Sequence, residues 1–445
     1  MTAHEDGLDL VVRGGLVVTM DATRRVVAGD VLVRHGRIVA VGTVQPQRPA
    51  RWLDARGCAV MPGFVQAHVH LCQTLMRGMA DELPLLAWLR ERIWPLEAAH
   101  DERSLRTSAR LGLAELVAAG TTTILDMGTV RHHDVVFEEI ERSGIRALGG
   151  KAMMDRGEGV PPALRETTAA SLRESEALAR RWHGRAGGRL RYAFAPRFVL
   201  SCSERLVRET VQLADEMGAL VHTHAAEHAE ERRAVREAFG EDDVAVLRRW
   251  GVRGPRAVLA HGVQLRDDEM RTLAEEGTRL VHCPSANLKL GSGIARLVAM
   301  RRAGLHVGLG ADGAPCNNRL DPWTEMRTAA LLAKAREGDA RALPAMDALA
   351  LATIDGARVL GLEAETGSIE PGKWADLVVV RIDRAHAEPG GDVASRLVYA
   401  CSAADVRATI ASGRIVYRAG EHDDALVDEA RRQARRLLRR AGMAG

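Results

Sequence analysis

The chain has 445 residues, of which 46% are hydrophobic and 27% charged, a composition of soluble globular proteins, and no apolar run is long enough to cross a bilayer. A net charge of +3 over this length gives little electrostatic case for nucleic-acid binding. The length allows one large domain with a smaller module beside it.

The opening MTAHEDGLDL carries acidic residues and no apolar signal core, so it reads as a mature cytoplasmic N-terminus. The next stretches, LDLVVRGGLVVTM, VAGDVLVRHGRIVAVG and CAVMP, are β-branched and punctuated by turns, with no helical period. The same pattern returns in ADLVVVRID and VRATIASGRIVYRAG near the other end. We therefore expect one composite β-sandwich domain from 1–62 and 363–445, carrying a C-terminal helix.

Between these segments the chain alternates strand-like and helical runs. FVQAHVH, TTTILDM, RALGGKAMM, RYAFAPR, LVHTHAA, AVLAH, RLVHCP and HVGLGAD are each followed by a segment of helical period. In DERSLRTSARLGLAELVAAG, for example, Leu105, Ala109, Leu113, Leu116 and Val117 line one face, and Gly120 suits a left-handed cap. Eight such units over 63–362 predict an α/β fold, a (β/α)8 TIM barrel. A doubly wound sheet lacks support, because no Gly-rich phosphate loop follows any of these strands. In the terminal helix, Val427, Ala430, Ala434, Leu437 and Leu438 form an apolar stripe with arginines opposite, as on a solvated surface helix. The six cysteines are scattered without CxxC pairs, which fits a reducing compartment and argues against a cysteine zinc site.

Barrel enzymes build their sites at the C-terminal ends of the strands. Those ends carry His68 and His70 (strand one), Asp126 (two), Arg197 (four), His224 and Glu227 (five), His261 (six) and Asp312 (eight). Strand periodicity puts His68 and His70 on one face, where both imidazoles reach one ion. His68, His70, His224 and Asp312 are the expected metal ligands, a donor set suited to Zn²⁺ or Fe²⁺ with a position left for water. His222 points to the same side as His224. We choose His224 because it lies nearer the strand end and three residues before Glu227, leaving His222 as a deeper packed residue.

The motifs PGFVQAHVH, HTHAAE, LAHGV, HCPSANLKLGSGIA and GADGAPCNN resemble the amidohydrolase superfamily. Within it the chain is similar to the branch of 5'-deoxyadenosine, 5'-methylthioadenosine and S-adenosylhomocysteine deaminases, guanine deaminases and triazine hydrolases. The resemblance runs over nearly the whole chain, including EPGKWADLVVV. It implies a single divalent ion, most simply Zn²⁺, because strand four ends in Pro196 and Arg197 without the bridging lysine of dinuclear relatives. It also implies that Asp312 accepts a proton from the activated water, that Glu227 shuttles protons to ring nitrogen and leaving ammonia, and that His261 orients the attacking water. A scaffold barrel that has lost its ligands is the non-enzymatic alternative, disfavoured because every matched ligand is present.

For the substrate the resemblance points two ways. HLCQTLMRGMADELPLLAWLRERIWPLE is similar to the adenine-nucleoside deaminases, with Glu97 matching a ribose-binding glutamate and Trp88 an apolar wall. GKAMMD, APRFVLSCSE and Gln73 resemble guanine deaminases, where the glutamine and the arginine matching Arg197 recognise the base. Lys151, in strand three, is either a substrate contact or a structural lysine. The expected activity is deamination of 5'-deoxyadenosine or 5'-methylthioadenosine, with S-adenosylhomocysteine fitting less well because a clamp for its carboxylate is incomplete. Guanine or another oxo-purine is the alternative, followed by triazines or pterins. The expected partners are a small purine-type molecule and further copies of the chain, with neither nucleic acid nor membrane involved.

Overall fold

The structure, a computed structural model, describes residues 8–443. The first seven residues of the acidic opening, read above as a cytoplasmic start, lie outside the described residues.

Strands from both ends of the chain join one hydrogen-bonded sheet of eight strands. Leu377–Arg381 runs antiparallel to Cys58–Pro62, pairing Val379 with Val60, and so inserts the C-terminal strands beside the N-terminal ones. Hydrogen bonding is thus continuous through the module expected as a sandwich. Its inward residues, among them Leu10, Val12, Val31, Val60, Leu377 and Ile410, form an apolar core of their own.

The middle of the chain is a closed parallel barrel. Its strands are Phe64–His70, Thr121–Met127, Arg146–Gly150, Leu190–Pro196, Leu220–Ala225, Ala257–His261, Arg279–His282 and the broken eighth, Val307–Leu309 with Asp312–Gly313. The two parts of strand eight close the ring. Leu309 pairs with His282 of strand seven, and Asp312 pairs with Val69 of strand one. Every barrel strand is nearly continuously buried, which is why the apolar runs show no alternation.

Two details differ from expectation. Strand three is interrupted at Lys151 before resuming at Ala152–Met153. The terminal helix, Asp424–Arg440, buries Leu426, Ala430, Gln433 and Leu437 and leaves Val427 40% exposed, so its buried stripe is rotated from the predicted one. It packs on the helix Glu102–Ala118, where Arg440 donates to Asp101 and Ser104 and Arg103 pairs with Glu429. All six cysteines are free and buried. Among the described residues no helix is long and apolar enough to cross a membrane.

Candidate active site

His68 and His70 end strand one, two residues apart, so the strand's period brings both imidazoles to the barrel mouth. Their Nε2 atoms lie 3.3 and 3.2 Å from the same oxygen, Oδ1 of Asp312. His70 Nε2 is 3.3 Å from His224 Nε2. The ligand atoms of His68, His224, His261 and Asp312 all lie within 4.8 Å of one another. Five side chains therefore converge, one more than the four predicted ligands.

The far nitrogens of these rings are all tied. His70 Nδ1 donates to Met127 O at 2.7 Å and His224 Nδ1 to Arg197 O at 2.8 Å. A carbonyl only accepts, so both rings carry the proton on Nδ1 and turn the Nε2 lone pair toward the common point. His68 Nδ1 is 2.9 Å from His222 Nε2, and His261 Nδ1 is 2.9 Å from Asn287 Oδ1. The Nε2 atoms of His68 and His261 are buried without a hydrogen-bond partner.

Lone pairs and a carboxylate aimed at one buried point repel each other unless a cation sits between them, so the donor set fits a metal ion. At zinc–nitrogen distances of about 2.0–2.1 Å, a tetrahedron has edges of roughly 3.3–3.4 Å. The contacts of His68, His70 and His224 just given match that edge. His261 Nε2 stands farther off, 3.9 Å from Asp312 Oδ2 and 3.5 Å from Glu227 Oε2, at the rim rather than within the tetrahedron.

Burial drives His68 down to about 4 and His224 well below the usual imidazole range, keeping both neutral, as ligands must be. For Asp312, burial pushes upward, but the imidazoles of His68 and His70 beside it outweigh that and hold the carboxyl well below the usual range; with the rings neutral and ligating, a cation between them would take over that role. Glu227 goes the other way: burial, and then the Asp312 charge, raise its carboxyl well above the ordinary range. Two carboxyls at one site are thus shifted in opposite directions, a division suited to acid–base work.

The backbone is strained where these groups sit. His261 (φ 79°), Asp312 (φ 60°) and Ala226 (φ 51°), next to Glu227, are all left-handed without being glycine. Gly310 lets strand eight approach strand one, since a Cβ there would stand 2.6 Å from the His68 carbonyl oxygen.

A cavity opens over this cluster. His70, His224, Glu227, His261 and Asp312 line one end, and Leu85, Trp88, Leu89 and Phe198 form an apolar wall, with Gln73 and Arg197 between them. Glu97, predicted to meet ribose, does not line the cavity. It stands behind it, its Oε1 accepting from Gln73 Nε2 at 2.9 Å and from Arg197 Nη2 at 3.2 Å, while Arg197 Nη1 donates to Oε2. Because Nε2 must face that carboxylate, Gln73 Oε1 is left as a buried acceptor without a partner, and Trp88 Nε1 is a donor in the same condition.

Lys151 stands in the surroundings of a structural lysine, the second of its two expected roles. It is fully buried away from the cavity lining, donating to Glu166 Oε1 at 2.5 Å and Glu174 Oε2 at 2.9 Å. Asp126 also lies off the cavity, and its Oδ1 accepts from Leu71 N at 2.8 Å, pinning the chain just after His70. Sequence reasoning missed Asn287, and it missed the task of His222, which it left as packing. For His222, the His-x-His spacing on strand five was the available signal.

Known proteins are similar to this chain over most of its length. A family model described as "Amidohydrolase family" matches residues 59–416. A 5'-deoxyadenosine deaminase of Methanothermobacter thermautotrophicus is 39% identical over 94% of this chain and 95% of its own. A 5-methylthioadenosine/S-adenosylhomocysteine deaminase of Halobacterium salinarum is 41% identical over 97% of this chain and 99% of its own. Among solved structures, an adenosine deaminase from Xanthomonas campestris with bound zinc superposes with a TM-score of 0.91 at 34% identity, covering 98% of this chain and 99% of that one. The guanine deaminase of E. coli gives a TM-score of 0.84 at 29% identity, covering 92% of this chain and 100% of that one.

Proposed function

The chain belongs to the amidohydrolase family, and on that footing we propose that it hydrolyses the amino group from the adenine ring of a nucleoside modified at its 5' position. 5'-Deoxyadenosine and 5'-methylthioadenosine are the substrates we favour, with the inosine analogue and ammonia as products. His68, His70, His224 and Asp312 hold one divalent ion, zinc by preference, and Fe²⁺ uses the same donors. When bound, such an ion supplies a Lewis acid that lowers the pKa of a water from about 16 to near 7.

The protein's own groups do the rest. Asp312, ionised, accepts the proton that the attacking water gives up. Glu227, protonated, donates to the ring nitrogen beside the reacting carbon; the carboxylate so formed takes up the second proton of the attacking water as the carbonyl forms and passes it to the amino group, which leaves as ammonia, and the proton held by Asp312 restores Glu227. His261, held by Asn287 with its Nε2 3.5 Å from Glu227, orients the water on the ring face. The observation that carries this assignment is that two buried carboxyls, Glu227 and Asp312, stand 3.5 and 3.9 Å from His261 Nε2 at the point where the other histidines converge.

The apolar wall of Leu85, Trp88, Leu89 and Phe198 suits a 5'-methyl or methylthio group. S-adenosylhomocysteine fits less well, since Arg197 and Lys151 are already bonded to carboxylates and neither is available for an amino-acid carboxylate. With Glu97 occupied, Gln73 Oε1 is the acceptor that meets a ribose hydroxyl. Guanine is the second reading, favoured by Gln73 and Arg197 lying together in the wall, but the Arg197 guanidinium is committed to Glu97.

The test is to strip the protein of metal with a chelator, reload it with zinc, and assay 5'-deoxyadenosine. Ammonia and 5'-deoxyinosine should form only after reloading. Equal turnover by the stripped protein, or none after reloading, would contradict the assignment.

A further inference from the structure

Glu227 sits on a short connection between strand five and the helix Ala229–Phe239, whose backbone is tied on both sides. The amide of Ala226 donates to Asp243 Oδ2, and the next amide, of Glu227 itself, lies 3.3 Å from Glu231 Oε2. On the other side, Ala226 O accepts from Gln264 N at 2.8 Å and Ala225 O from Gly262 N at 3.0 Å. Two consecutive amides thus meet two different carboxylates, each only 1% exposed, and neither carboxylate lines the cavity.

Burying an acid costs free energy unless it is paired, and only Asp243 has a cation here. Arg232 Nε lies 3.3 Å from Asp243 Oδ1, and the same guanidinium pairs with Asp242 at 3.0 Å and with Glu269. Neutral acceptors would satisfy the two amides equally well. What Asp243 and Glu231 add is a side-chain oxygen fixed against each amide, at the one connection where Ala226 is forced to a φ of 51°. Without the hold, the segment would relax toward ordinary backbone and swing the Glu227 carboxyl away from His261.

We propose that Asp243 and Glu231 are positioning residues, a buried carboxylate clamp that fixes the Ala226–Glu227 backbone and so keeps the Glu227 carboxyl aimed at His261 and the reacting ring. This rests on Glu227 being the proton shuttle. The clamp acts on proton transfer and leaves the metal ligands and the substrate wall unchanged.

The test compares Asp243→Ala with Asp243→Asn and Glu231→Ala with Glu231→Gln, alongside Glu227→Gln, all in the full-length, zinc-loaded enzyme acting on 5'-deoxyadenosine. The amide variants keep an oxygen acceptor and the alanine variants do not. The alanine variants should lose about 10- to 100-fold in kcat, the scale expected of a displaced catalytic group. Their KM should stay within about twofold and their zinc content at the parental value, while the amide variants should recover most of kcat. A folded alanine variant with parental kcat, an equal loss in alanine and amide partners, or a loss carried by KM or by zinc would overturn the clamp. Should Asp243→Ala not fold, because Arg232 loses a partner, the Glu231 pair decides. If Glu227→Gln remains active, the shuttle assignment itself has failed; if it is inactive while the alanine variants are normal, only the clamp has.

Discussion

Arg197 and Glu97 meet guanidinium to carboxylate behind the cavity wall, with Nη2 3.2 Å from Oε1 and both residues at most 3% exposed. Removing one partner of such a pair strands a buried charge, at a typical cost of about 3–5 kcal/mol. Arg197→Met should therefore lower the melting temperature markedly and also raise KM for the nucleoside. Arg197→Met combined with Glu97→Met should recover much of the melting temperature but not the KM. Recovery of both would mean that the pair is only structural.

Glu227→Gln keeps shape and hydrogen bonding but cannot transfer a proton. We expect kcat to fall by about 10²–10⁴-fold with zinc content unchanged, read by metal analysis and ammonia release on the same preparation. Because burial raises the Glu227 carboxyl and the protonated form is the working one, wild-type kcat should be flat at low pH and decline as pH rises through that raised value.

His222 gives His68 its Nδ1 partner at 2.9 Å. Partners that orient a ligating histidine are typically worth 10–100-fold in metal affinity. His222→Leu should thus release zinc to a chelator at a roughly 10-fold lower chelator concentration or below, whereas Lys151→Met should leave zinc affinity and KM alone and lower only the melting temperature, since Lys151 serves Glu166 and Glu174.

Stability should fall in mild acid. Burial pushes His100 down to about 4 and His133 to about 3, whereas both titrate near 6.5 in the unfolded chain. Between those values the unfolded state binds protons that the folded state refuses, so folding is favoured above pH 6.5 and loses ground below it. From pH 8 to pH 5.5 the two groups together should cost about 2–3 kcal/mol, measured by urea unfolding of the metal-free protein.

The barrel and the cluster at its mouth are legible because their signals are local. A run such as LVHTHAA announces a buried strand, and His68, His70, His224 and Asp312 each stand at a strand's end, where the fold puts chemistry. Partners far apart in sequence were not legible. Glu97 lies 100 residues from Arg197 and His222 154 from His68, and no periodicity says which buried groups will meet. For that reason the sequence places Glu97 at the ligand although it backs the wall, and leaves Lys151 between two roles that only its ion pairs separate. The terminal helix shows the same gap: its period was plain, but which residues it buries depended on the helix beneath it.

The most direct measurement is one set of kcat/KM values for the zinc-loaded enzyme with 5'-deoxyadenosine, 5'-methylthioadenosine, S-adenosylhomocysteine and guanine. An apolar wall with both nearby cations committed predicts that the first two lead, that S-adenosylhomocysteine trails them by at least roughly 10-fold, about 1.4 kcal/mol for the missing carboxylate partner, and that guanine is poorest. Selective turnover of guanine, or a preference for S-adenosylhomocysteine, would contradict it.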